Sequence, residues 1–151
     1  MKKLVMVLVL SLLLCGCSKV LDQNDDVKRL YLSDKYYNKG EFINKTDLRD
    51  LDNDVYVIFT YNNFCNFKVS CDKIFESFMK KYNIDFIKIP FDSFKETDLY
   101  ETVKYAPSII IIDNNKIVDY LDANEDEDLD RYQDEEAFEK WMDKYIYFKK
   151  N

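Results

Sequence analysis

The sequence predicts an α/β domain: a mixed central β-sheet with helices on both of its faces. Three observations predict it. Runs rich in β-branched and aromatic residues alternate with stretches of helical period along the chain. Two runs, Ser108 to Ile112 and Lys116 to Leu121, are joined by Asp113-Asn114-Asn115, whose asparagines tolerate the positive φ of a tight hairpin. A closing segment, Glu135 to Tyr147, places Phe138, Trp141, Met142 and Tyr145 at i, i+3, i+4 and i+7, with Glu135 and Glu136 at the positive end of the helix dipole.

Ahead of the domain stands a different kind of segment. Lys2 and Lys3 precede an apolar run from Leu4 to Leu14. That run is short of the roughly 20 residues needed to span a bilayer and suits the apolar core of a secretion signal. It ends in Leu14-Cys15-Gly16-Cys17, which resembles the lipobox of bacterial lipoproteins. The resemblance implies removal of residues 1–16 and lipidation of Cys17, with diacylglycerol and fatty acyl chains of the palmitate type. It also implies residence on the extracytoplasmic face of the cell membrane. Residues 17–29 then read as a polar tether, and 30–151 as the folded domain.

Within the domain, Leu30 to Tyr37 reads as a first strand and Glu41 to Leu51 as a helix with Phe42, Leu48 and Leu51 as its apolar points. Asp54 to Tyr61 is a nearly continuous apolar strand, as expected for one covered on both faces. Ser70 to Tyr82 follows as a helix capped by Ser70, with Ile74, Phe75, Phe78, Met79 and Tyr82 in one stripe. Asp85 to Ile89 is a strand stopped by Pro90, and Thr97 to Tyr105 a short helix. The predicted order is β-α-β-α-β-α-β-β-α.

Composition excludes several activities. The chain has no histidine, so histidine-based acid–base catalysis, Ser-His-Asp triads and His-ligated zinc are absent. Without residues 1–16, 20 basic residues stand against 29 acidic ones, a net charge of −9, which argues against nucleic acid as a partner and against electrostatic docking of the domain to anionic lipid head groups. Asp122 to Glu136 is strongly acidic, but a calcium loop fails there: Glu127 stands at the required glycine and Gln133 at the required glutamate. It reads as a solvated acidic insertion. No cofactor or metal is expected.

The order of elements resembles the thioredoxin family across residues 30 to 147: a strand running into a cysteine-bearing turn and helix, then Ala106-Pro107-Ser108 before an isoleucine strand, then a closing helix. The resemblance implies a three-layer sandwich and a cis-proline at Pro107 facing the redox cysteines. It places Cys65 at the nucleophilic position. The match departs from the family at the second cysteine, because Cys65 and Cys71 form C-x5-C, with Lys68 between them. It departs again at Phe59, which stands where a buried carboxylate often lies. If the helix began directly after Cys65, the two Cα atoms would be about 9 Å apart, beyond the roughly 7 Å a disulfide tolerates. A helix starting at Ser70 lets a loop close the pair.

Two functions follow. One is thiol–disulfide exchange on a protein thiol or disulfide by a monomeric, lipid-anchored domain, through Cys65, Cys71 and Pro107. The other is a redox-inactive, thioredoxin-like lipoprotein acting as an accessory module for an envelope or secretion partner, resembling bacteriocin-export accessory proteins. Static disulfide and reduced, packed cysteines both remain open at this point.

Overall fold

The computed structural model describes residues 28–51, 53–62 and 71–149. Its main sheet has five strands: β2 (Phe42–Asn44), β3 (Val55–Tyr61), β4 (Phe86–Pro90), β5 (Ser108–Asp113) and β6 (Lys116–Asp122). They lie in the order β2-β4-β3-β5-β6. The first three are mutually parallel, β5 runs antiparallel to β3, and β6 antiparallel to β5. That order and polarity define a thioredoxin-like α/β fold, as predicted. A separate two-stranded ribbon pairs β1 (Leu30–Tyr31) with β7 (Ile146–Tyr147).

Strand alternation divides the core in two. Val57, Phe59, Ile109, Ile111 and Leu121 point to one face, where they pack on α1 (Cys71–Tyr82) and α3 (Glu135–Tyr145). Ile58, Ile87, Ile89, Ile110 and Ile112 point to the other. This is why β5 reads as four consecutive isoleucines: as an inner strand it needs apolar side chains both ways. The two long helices touch through Phe75 and Phe138, ring centroids 4.8 Å apart, and Phe78 and Phe138 at 5.0 Å. Glu139 on α3 pairs with Lys81 and accepts from Tyr82, both of α1, and these contacts, the lysine's first, hold its carboxyl below its ordinary value. Asp134 caps α3, its Oδ1 accepting from Ala137 N at 2.8 Å.

The second face is thinner than predicted, because the helix expected over Glu41 to Leu51 does not form. Phe42 and Ile43 are consecutive apolar residues that enter opposite core faces, which is the period of a strand. Phe42–Asn44 accordingly pairs along β4 as an edge strand, Phe42 opposite Phe86 and Ile43 opposite Ile87. Asp47 then closes a turn on Arg49 N, and only Leu48 and Leu51 reach the core. Further cover comes from Tyr36, Val103, the single turn α2 (Phe91–Phe94) and a 3-10 turn, Asp98–Glu101, shorter than the helix predicted over Thr97 to Tyr105. The first strand also shrinks: after Tyr31 the chain enters a 3-10 turn, Asp34–Tyr36. The hairpin forms as expected, Asn114 and Asn115 both at positive φ (49° and 61°).

Gly40 and Asp85 fix the loop before β2. The carboxylate of Asp85, 4 % exposed, accepts from Glu41 N at 2.9 Å, Lys39 N at 3.3 Å and Asn38 Nδ2 at 3.1 Å. Gly40 takes a φ of +70°, and a Cβ there would lie 2.6 Å from Met79 O and 2.8 Å from Lys80 Cα, both backbone atoms of α1. Gly40→Ala therefore combines left-handed strain with a backbone clash, and should cost about 2 kcal/mol or more. Urea unfolding checks this; a loss below about 0.5 kcal/mol would contradict the packing described.

Candidate functional site

The site forms where the end of β3, the start of α1 and the loop before β5 converge. Thr60 pairs with Ser108, so the chain leaving β3 passes beside the chain entering β5. The Ala106–Pro107 peptide between them is cis, and Pro107 is buried. Three hydrogen bonds hold this loop. Asn62 Nδ2 donates to Ala106 O at 3.0 Å, Ser108 Oγ to Tyr105 O at 2.8 Å, and Tyr132 Oη to Pro107 O at 2.9 Å.

Tyr132 is the centre of the arrangement. Its hydroxyl also lies 2.7 Å from Leu121 O, so one phenol spans the Pro107 loop and the end of β6. Its ring meets Phe75 of α1 edge-on at 5.9 Å, and it is fully buried. Burial, reinforced by the charges of Asp128 and Asp122 and by Cys71, holds its phenol well above the ordinary value. Tyr132 therefore stays a neutral donor across the range in which proteins fold. It sits in a 3-10 turn, Leu129–Tyr132, inside the acidic stretch. Most acids of that stretch are exposed, as expected of a solvated insertion, and two are drawn in: Asp122 is 8 % exposed, and Asp128, paired with Arg131, accepts at Oδ2 from Asp122 N at 2.9 Å.

Cys71 is the first residue of α1, one turn ahead of Phe75 on the same face, and is 1 % exposed in the core cluster that contains Tyr132. Its Sγ lies 3.9 Å from Asp72 Oδ1. Asp72 in turn pairs with Lys88 Nζ at 2.8 Å. Lys88 stands beside Phe59 in register on β4, its ammonium ringed by Phe42, Phe59 and Tyr61 at 4.7, 5.3 and 4.7 Å. Where the family resemblance implies a carboxylate on β3, the charge partner of this lysine is thus carried by the helix. Cys17, Cys65, Lys68 and the expected cap Ser70 lie outside the described residues.

Pro107 and Cys71 come to one end of the sheet. Three contributors escaped sequence reasoning: Asn62, Lys88 and Tyr132. Lys88 carried a signal, as the only charge inside the apolar run Phe86 to Ile89. Tyr132 carried little, being one of 12 tyrosines and set among acids.

A groove of about 670 Å³, with Leu48, Leu51, Tyr56 and Leu99 in its lining, opens on the opposite face of the sheet, away from Cys71. Among the described residues no group of Asp, Glu or Cys is placed to hold a metal ion, and no helix is long and apolar enough to cross a membrane. The chain matches no family model and no curated protein. A solved thioredoxin from Schistosoma mansoni is similar over 56 % of this chain and 84 % of its own, at 21 % identity and a TM-score of 0.42.

Tyr132→Phe keeps the ring and removes the hydroxyl, leaving two buried carbonyls without their shared donor. The expected loss of stability is about 1–3 kcal/mol, read from urea unfolding at neutral pH. An unchanged midpoint would show that the hydroxyl does not hold the loop.

Proposed function

We propose that this chain is a lipid-anchored, extracytoplasmic thioredoxin-like protein that exchanges thiols and disulfides through Cys65 and Cys71. The observation that carries the reading is the placement of Cys71: it is buried at the head of α1, in one cluster with the tyrosine that seats the cis-proline loop. A buried thiol at that position suits a resolving cysteine, which acts only on a neighbour already joined to a partner.

The Cys65 thiolate attacks one sulfur of a partner disulfide, forming a mixed disulfide and expelling the partner's other sulfur as a thiolate. Cys71 then attacks Cys65 Sγ. The bond to the partner breaks, the departing partner sulfur takes the proton that Cys71 loses, and a Cys65–Cys71 disulfide remains. Two electrons have passed to the partner; the reverse sequence oxidises a partner dithiol. Pro107, held from both sides by Asn62 and Tyr132, shapes the surface on which the partner's backbone rests. Cys17 supplies the anchor.

The test is a redox titration of the mature chain carrying Cys17→Ser, in glutathione buffers of graded potential, with alkylation and mass spectrometry at Cys65 and Cys71. The reading predicts a reversible intramolecular disulfide with a potential above about −300 mV. A pair that never joins, or a bond that no glutathione ratio reduces, would contradict it and leave a redox-inactive binding module.

A further inference from the structure

Among the described residues three large apolar side chains stand exposed: Tyr31 at 65 %, Tyr147 at 40 % and Tyr105 at 54 %. Two of them form one feature. Tyr31 and Tyr147 are register partners in the β1–β7 ribbon, their rings stacked with centroids 5.0 Å apart. Arg29 lies over the Tyr147 ring at 4.1 Å, pairs with Asp143, and donates to Ile146 O at 3.0 Å. The platform beneath is rigid: Tyr37 Oη donates to Tyr147 O at 3.2 Å, and Phe148 packs on Tyr82 at 4.5 Å and Phe78 at 5.2 Å.

The position of this pair in the fold gives it meaning. α1 begins at Cys71, beside the Pro107 loop, and ends at Tyr82, against Phe148. Its length, about 17 Å at 1.5 Å per residue, separates the tyrosine ribbon from the thiol site. Tyr105, next to the cis-proline loop, belongs to the site end. The described chain also begins at the ribbon, with Lys28 and Arg29 immediately before β1.

We propose that the Tyr31–Tyr147 ribbon, with Lys28, Arg29 and Lys149, is the surface on which the domain lies against the lipid bilayer, so that the Pro107–Cys71 end points away from the membrane. This rests on the reading of Cys17 as a lipid anchor. Tyrosine rings settle at the headgroup level, where one edge is apolar and the other wet. The local charge fits as well. Asp34 and Asp143 are each met by a cation, Lys149 and Arg29, so the ribbon lacks the acidic excess of the whole chain, −7. Eleven residues, 17–27, join the anchor to Lys28. Their extended reach is about 40 Å at most, comparable to the diameter of a domain this size, about 35 Å. The tether meets the domain at the ribbon, so docking there uses none of that reach, whereas turning the site end to the bilayer would take up at least the roughly 17 Å along α1.

The experiment compares the lipidated full chain, added to preformed phosphatidylcholine–phosphatidylglycerol vesicles, with the Cys17→Ser chain in the same suspension. The intact mass of each chain is measured first. Hydroxyl-radical footprinting with peptide mass spectrometry then reports each tyrosine. The expected result is that Tyr31 and Tyr147 are modified roughly five-fold more slowly on the lipidated chain, while Tyr105 changes by less than about two-fold. Equal modification of all three on a lipidated chain would overturn the docking surface and leave the anchor standing. Protection of Tyr105 alone would reverse the orientation and overturn it too. A wild-type mass without acyl chains at Cys17 would remove the anchor itself and the docking with it.

Discussion

The hydroxyl of Tyr132 is the contact on which the rest of the site depends. It lies within hydrogen-bond distance of Pro107 O and Leu121 O, while its ring meets Phe75 on α1. Three separate parts of the chain are thereby held at fixed distances: the loop that carries the cis-proline, the end of the last main-sheet strand, and the helix that begins with Cys71. Buried carbonyl groups need donors. A phenol kept neutral by burial supplies one without bringing a charge into the core. The acidic run from Asp122 to Glu136 thus contributes through its single tyrosine, and its carboxylates fold the turn that delivers that tyrosine.

The two faces of the sheet are built by different means. On the face of α1 and α3, aromatic rings interlock through Phe59, Phe75, Phe78 and Phe138, and this rigid half bears the site. Single turns cover the other half, because Phe42–Asn44 joined the sheet as its edge in place of a helix. A charged pair sits within the rigid half. Lys88 on β4 finds its counter-ion in Asp72 of α1, and the flanking aromatic rings shield a side chain that is only 17 % exposed. An ion pair so placed ties the first turn of α1 to the sheet, next to the buried thiol.

Much of this was legible in the chain. β3, β4 and the β5–β6 hairpin each announce themselves by apolar runs bounded by turn residues. α1 and α3 follow from clean helical stripes. Pro107 stands out by its place before an inner strand. Two of the misread segments share a cause: in Phe42-Ile43 and in Leu30 to Tyr37, a few apolar residues fit either period, and pairing with a distant strand decides between them. Tyr132, Asn62 and Lys88 were hidden for a related reason. Their roles are contacts between residues far apart in sequence, such as the 25 positions between Tyr132 and Pro107, and local pattern carries no record of those. The C-x5-C spacing was plain, but the conformation of residues 63–70 lies outside the described part of the chain.

The most direct measurement compares the two single-cysteine chains, Cys71→Ser and Cys65→Ser, each also carrying Cys17→Ser, under oxidised glutathione in native buffer. If Cys65 is the attacking thiol, as proposed, and Cys71 stays buried in the core cluster that holds Tyr132, the chain retaining Cys65 forms a glutathione adduct readily. The chain retaining Cys71 reacts more slowly by roughly a hundred-fold or more, since its thiol is reached only through local opening of the structure. Equal rates, or faster reaction at Cys71, would contradict the assignment of a buried resolving thiol and with it the exchange mechanism.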